Sequence, residues 1–287
     1  MRINNNLSAM FAVRHFGMAQ QALGQNIERL SSGFRINRAR DDAAGLAVSE
    51  KMRAQIRGLN MAARNAQNGV SMIQTAEGFL QGTQDVIHRL RELAVQSANG
   101  IFTAEDRVFI QVEVSQLVAE LDRIAAHAQF NGMNLLTGRF ARPDGDNAVT
   151  ASLWFHIGSN MDQRMRVFIG TMTAASLGVR DASDGSFISL LDQEDANRAI
   201  GTLDAALAHV NRQRANLGAY HNRLDLAIRS IKIGAENLQA AESQIRNTNM
   251  ASEMVSYTRN MILSQAVLAM LSHANYRWQS ILRLLQV

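Results

Sequence analysis

Apolar residues recur at alternating three- and four-residue spacing at both ends of this chain, a pattern that permits little besides helix. Near the start, Ala9, Val13, Phe16, Leu23, Ile27, Leu30 and Phe34 follow it, with Gln20 the one polar member. Near the end, Met254, Tyr257, Met261, Leu268, Leu271, Trp278, Leu282 and Leu285 follow it, with Ser264 and Asn275 among them. Such spacing gathers the side chains on one stripe of a helix and defines a coiled-coil seam. Chain ends are ordinarily polar and frayed. Stripes this apolar call for burial, against each other, a membrane or another copy of the chain. The same spacing fills the interior, from Val48 through Leu59, Ala66, Gly69, Ile73 and Leu80 to Ala94, and from Leu203 through Val210, Leu217, Leu224 and Ile231 to Ile245. A single proline in 287 residues leaves such helices uninterrupted, because proline ends or kinks a helix wherever it falls inside one.

The order of these segments predicts a mainly α fold. A shorter helix opens at a capping box, Thr103-Ala104-Glu105-Asp106, after a turn at Asn99-Gly100. The helical period stops around Gly138–Gly145, at the only proline. Residues 149–157 then read as a strand, and Met165, Val167 and Ile169 alternate with Arg164, Arg166 and Phe168 after a Gly158-Ser159-Asn160 turn, which predicts a β-hairpin. Short helix, long helix, hairpin, long helix, short helix makes a chain folded back on itself. The expectation is an elongated antiparallel helical rod or coiled coil with a small β-hairpin element and both termini at one end. Its domains are residues 1–40 with 251–287 as a terminal coiled coil, and 41–250 as a helical rod carrying the hairpin region near 138–190. The small residues in the middle of the first long helix let its backbone approach a partner closely.

Charge is unevenly placed. Residues 1–40 hold Arg2, Arg14, Arg29, Arg35, Arg38 and Arg40 against Glu28 alone, and beyond Glu253 there are arginines but no acid. Basic ends suit a nucleic-acid or membrane surface. The arginines nevertheless lie between seam positions rather than in a cluster, and arginine's rigid fork suits fixed interface pairs. The seven histidines are scattered without metal-ligand spacing, and no Gly-x-x-x-x-Gly-Lys-Ser/Thr loop occurs. Asp41-Asp42, beside arginines and followed by Ala-Ala-Gly, reads as a helix start rather than an acid/base pair. No cysteine is present, no run of about 18 apolar residues spans a membrane, and the first twenty residues hold no secretory apolar core. No residue set supports an enzyme, a metal or a cofactor, and neither nucleic acid nor a membrane span is expected.

The stretch from Leu30-Ser31-Ser32-Gly33-Phe34-Arg35-Ile36-Asn37-Arg38 to Asp41-Asp42-Ala43-Ala44-Gly45-Leu46-Ala47 strongly resembles the N-terminal signature of bacterial flagellins. So do Gln74-Thr75-Ala76-Glu77-Gly78, Arg89-Leu90-Arg91-Glu92-Leu93-Ala94-Val95-Gln96 and Phe130-Asn131-Gly132-Met133-Asn134-Leu135-Leu136. Leu217-Gly218-Ala219-Tyr220-His221-Asn222-Arg223-Leu224, Glu236-Asn237-Leu238 and Gln265-Ala266 resemble the C-terminal flagellin pattern. Size, the stretch Leu153-Trp154-Phe155-His156-Ile157-Gly158 and the ending Gln279-Ser280-Ile281-Leu282-Arg283-Leu284-Leu285 look like the short core flagellins of spirochaete periplasmic flagella.

This resemblance implies a structural subunit that polymerises into a helical motility filament and is exported by the flagellar type III apparatus. The terminal seams, through Val13, Phe16, Leu23, Ile27, Leu30, Phe34, Met254, Tyr257, Met261, Leu268, Leu271, Trp278, Leu282 and Leu285, would then be the filament interface, folding into a channel-lining coiled coil on assembly. Implied partners are other copies of the chain, other flagellins, the filament cap, junction proteins, an export chaperone, the export apparatus and sheath proteins. A periplasmic flagellum is the implied location for a spirochaetal chain, and the cell exterior otherwise. Larger flagellins insert outer domains where this chain has only residues ~138 to ~190. Arg89, Leu93 and Glu113 match an epitope that Toll-like receptor 5 reads in many flagellins, with His88 in place of the usual glutamine. The alternatives are a hook–filament junction protein of the same architecture and, from a different class, a coiled-coil binder of nucleic acid or membrane surface acting through the basic ends.

Overall fold

The computed structural model describes residues 6–141, 153–180 and 186–285, and of residues 278–285 only the helical backbone. Five helices, α1 (Leu7–Ser32), α2 (Ala43–Ser97), α3 (Ala104–His127), α4 (Gln193–Arg246) and α5 (Met250–Leu285), account for most of them. Four short strands, β1 (Gln129–Phe130), β2 (Met133–Asn134), β3 (Leu153–His156) and β4 (Arg164–Val167), form two antiparallel pairs. The fold is mainly α, as the periodicity predicts. At 1.5 Å per residue, α2 and α4 are each about 80 Å long. The chain divides into two compact units, one of Met1–Ile56 with Glu236–Val287 and the other of Arg57–Ala235. Both α2 and α4 supply turns to each unit.

In the middle unit, α2, α3 and α4 close around a single apolar core. The stripe read along α2 is the stripe that packs: Ala62, Ala66, Ile73, Ala76, Leu80, Ile87, Leu90 and Ala94 are all buried. The stripe along α4 follows it through Leu203, Val210, Leu217, Leu224 and Ile231. Burying a side chain of this size contributes roughly 1.5–3 kcal/mol. Arg91 pairs with Asp204 at 2.7 Å and Arg214 donates to Gln84, which sets α2 and α4 antiparallel in this unit. The helix α3 starts where its capping box predicts. Thr103 Oγ1 accepts from the Asp106 amide at 3.3 Å, and the Asp106 carboxylate accepts from the Thr103 amide at 2.9 Å.

The hairpin forms with Leu153 opposite Val167 and His156 opposite Arg164, and it turns Leu153, Met165 and Val167 inward. The part of its first strand expected at residues 149–152 lies outside the described residues, as does Pro143. The partner that the small residues of α2 let approach closely is this hairpin. A Cβ on Gly69 would sit 3.1 Å from the Phe155 ring, and one on Gly58 would sit 2.9 Å from Ser159 Cβ. Between them, Asn65 Nδ2 donates to the His156 carbonyl at 3.3 Å. The pairing of β1 with β2 was not read from the sequence, although its signal is there. Asn131 and Gly132 both take positive φ, +48° and +74°, between Phe130 and Met133. Asn-Gly is the dipeptide that supplies this two-residue hairpin turn.

Candidate functional site in the terminal helices

The terminal unit is built on a two-helix seam. Asn6 Nδ2 donates to the Ala274 carbonyl at 3.4 Å and Asn26 Nδ2 donates to Glu253 Oε1 at 2.7 Å, so α1 and α5 run antiparallel. The less exposed positions of α1 include Ala9, Ala12, Phe16, Ala19, Leu23, Asn26 and Leu30. On α5 they include Glu253, Tyr257, Asn260, Ser264, Val267, Leu271 and Ala274. Both sets keep alternating three- and four-residue steps, so each is a continuous heptad seam.

Half of each seam lies one residue away from the stripe expected from apolarity. Phe16, Leu23 and Leu30 on α1, with Tyr257 and Leu271 on α5, are in the seam, and Met261 is half-buried beside it. Val13 and Ile27 are 56% and 50% exposed, and their places are taken by Ala12 and Asn26. Met254 and Leu268 are 49% and 55% exposed, and Glu253 and Val267 pack instead. The single stripe expected on each helix is therefore corrected. Alanine and serine let two backbones approach closely, and the asparagines and Glu253 bond across the seam. The side chains of Trp278, Leu282 and Leu285 lie outside the described residues. Along the outer side of α5, Met254, Val255, Thr258, Arg259, Ile262 and Leu263 line one open apolar groove.

A second knot ties the start of α2 to the end of α4 within this unit. Gly33, at φ +73°, closes α1 with its amide on the Arg29 carbonyl. The Arg35 amide donates to the Arg246 carbonyl at 2.7 Å, and the Thr248 amide donates to the Gly33 carbonyl at 3.0 Å. Phe34, expected on the α1 stripe, lies beyond the helix under the Arg246 guanidinium, 5.0 Å from its ring centre. Arg246 also pairs with Glu50 and, through that hydrogen bond, holds the Glu50 carboxyl below the usual glutamate value. Asp42 begins α2 by accepting from the Gly45 amide at 2.8 Å. Asp41 caps the preceding turn, and its bonds from the Arg38 and Asn37 amides lower its pKa despite some desolvation. The paired carboxylates are thus a turn cap and a helix cap.

Three arginines of the N-terminal segment engage the chain's own groups. Arg29 lies 3.8 Å from Glu253, Arg38 pairs with Glu28 at 2.8 Å, and Arg35 Nη2 donates to the Ile245 carbonyl at 2.6 Å. In the middle unit, Arg89 pairs with Glu113 at 2.9 Å and Glu92 at 3.1 Å, which raises its pKa. Leu93 does not join them at the surface. It is 2% exposed, in the core between the helices. Among the described residues, no group of three His, Asp or Glu side chains could hold a metal ion, and no helix is long and apolar enough to cross a membrane.

Residues 3–141 match the bacterial flagellin N-terminal helical region, and residues 200–285 match the bacterial flagellin C-terminal helical region. The chain belongs to the flagellin family. It is 66% identical over its whole length to the flagellar filament 33 kDa core protein of Treponema phagedenis, of which it covers 100%. It is 65% identical to flagellin FlaB2 of Treponema pallidum, again over 100% of both chains. Among solved structures, Bacillus cereus flagellin aligns over 62% of this chain and 94% of its own, at 29% identity and a TM-score of 0.48. The two Treponema relatives are spirochaetal flagellins, and the chain is a structural subunit of a flagellar filament.

Proposed function

We propose that the terminal helix pair is the element through which this flagellin polymerises, and that the exposed apolar residues flanking its seam are the surface buried by neighbouring copies. The observation that carries this reading is the placement of large side chains. Val13, Ile27, Met254, Ile262 and Leu268 stand in solvent while alanine, serine and asparagine share the seam with Phe16, Leu23, Leu30, Tyr257 and Leu271. A monomer gains nothing from that choice. In a helical polymer, whose contacts are heterologous and do not close, each such residue gains roughly 1.5–3 kcal/mol on burial.

In this reading residues 1–40 and 251–287 form the inner layer of the filament and residues 41–250 the layer outside it, with no further outer domain. The subunit leaves the cell through the flagellar type III apparatus, assisted by an export chaperone, and assembles beneath a filament cap on junction proteins. Its filament is periplasmic, co-assembles with other flagellins and is covered by sheath proteins. An innate receptor such as Toll-like receptor 5 would meet the Arg89–Glu113 pair but not Leu93. The relatives' spirochaetal origin supports the periplasmic placement.

Removing residues 255–287 tests the central claim. The shortened chain is expected to stay soluble and largely helical by circular dichroism and to give no filaments in electron micrographs. Normal filaments from it would overturn the proposal.

A further inference from the structure

The terminal seam contains a polar cluster that apolar burial does not explain. Among the described residues of α1, Asn26 is the one buried side chain, 6% exposed, and it sits at a seam position. Its Nδ2 donates to Glu253 Oε1 at 2.7 Å, and its Oδ1 accepts from Asn260 Nδ2 at 2.9 Å. Arg29 Nη1 adds its charge 3.8 Å from the same Glu253 oxygen. Glu253 and Asn260 are successive equivalents along α5, seven residues apart, and Asn26 bridges them.

The rest of the seam is permissive. Phe16, Leu23 and Leu30 recur every seven residues, as do Ala12 and Ala19, and Tyr257, Ser264 and Leu271 keep the same interval on α5, so a shift of one heptad sets similar residues against one another. Rotation is permissive too. Turning each helix by about half of the roughly 100° between successive residues would keep Phe16, Leu23, Leu30, Tyr257 and Leu271 at the seam, bring Val13, Ile27, Met254 and Leu268 in beside them and bury more apolar surface. Apolar burial by itself therefore favours an arrangement other than the one observed. A one-heptad slip would separate Asn26 from Glu253 or from Asn260, according to its direction, and the rotation would leave both asparagines and Glu253 without each other. Buried polar groups left unpaired cost about 1–3 kcal/mol each.

We infer that the Asn26–Glu253–Asn260 cluster sets the register and rotation of the α1–α5 pair, selecting the arrangement that keeps the large apolar stripes outward. A polar residue at a seam position specifies register at some cost in stability. Replacing buried polar partners by apolar groups is often neutral or stabilising, so the cluster contributes specificity rather than strength. The consequence for assembly rests on the proposed filament function; the effect on register does not.

The chain has no cysteine, so an introduced pair reports register cleanly. Asn6→Cys with Ala274→Cys is placed where the two helices already touch. In the full-length chain this pair is expected to form an intrachain disulfide, running as a monomer on a non-reducing gel. Adding Asn26→Leu, Glu253→Leu and Asn260→Leu should lower the crosslink yield about fivefold or more while helical content and the thermal transition are kept. Glu253→Gln keeps an oxygen for Asn26 and should retain the crosslink. An undiminished crosslink in the triple variant overturns the inference, and so does a failure of the unaltered background to crosslink. Filament yield is read separately. A loss in the triple variant supports the link to assembly, and normal filaments from a chain of scrambled register would overturn that link alone. If the unaltered chain crosslinks but never polymerises, the assembly proposal fails and the register assignment stands.

Discussion

The middle unit buries its large side chains, and the terminal unit leaves many of its own in solvent. Along α2 the stripe from Ala62 to Ala94 is covered continuously, because α3, α4 and the hairpin approach the helices of this unit from several sides. Along α1 the seam meets α5 alone, and a two-helix pair can cover only one narrow stripe of each member. A helix with two apolar stripes must leave one open. The middle unit thus has a core of its own, whereas the terminal pair has a seam and two unsatisfied faces. On the proposed reading, such a seam with its exposed apolar flanks is completed by neighbouring copies of the chain.

Core truncation is the strongest way to break this contrast. Leu80→Ala, at a fully buried site, is expected to cost about 2–5 kcal/mol in denaturant unfolding of the middle unit. A cost below about 1 kcal/mol would mean that the helices there are as loosely joined as the terminal pair. Gly69→Val probes the contact between α2 and the hairpin. The added branches have no room against Phe155, and overpacking of this kind costs about 1–3 kcal/mol. Unchanged stability would show that the hairpin is not held against α2.

The terminal stripes sharpen the contrast from the other side. Val13→Ala removes two carbons from an exposed position, so unfolding should change by less than about 0.5 kcal/mol. If neighbouring copies cover it, the same change should raise the critical concentration for filament growth roughly tenfold. Sedimentation of filaments over a concentration series measures this, and an unchanged critical concentration would remove Val13 from the interface. The smallest effect concerns acid. The folded-state pKa of Asp41 lies below its ordinary value, so its stabilising contribution is present above that value and is lost as pH falls through the lowered one. The amides of Asn37 and Arg38 should gain hydrogen-exchange protection on going from strong acid to neutrality. Asp41→Asn should abolish that dependence while sparing the core amides of α3.

Much of this was legible from residues alone. The capping box at Thr103, the long stripes of α2 and α4 and the alternation of Arg164–Ile169 each encode their element locally, through a side chain that bonds its own backbone or a period of 3.6 or 2. The family motifs were legible as well. What was misread at the ends was a choice between adjacent stripes. Apolarity pointed to Val13, Ile27, Met254 and Leu268, whereas the fold uses Ala12, Asn26, Glu253 and Val267. The same limit explains Leu93. Its place in a surface-reading motif did not reveal that it is buried in the core of the middle unit.

The sequence by itself determined that this chain is mainly helical with a small hairpin, where α2 and α3 begin, and which family it belongs to. Only the tertiary structure decided which side of each terminal helix faces its partner. Helical periodicity is a property of neighbours three and four residues apart and survives in any arrangement of helices. Rotation and register depend on bonds across the seam, such as Asn26 to Glu253, between residues more than two hundred positions apart.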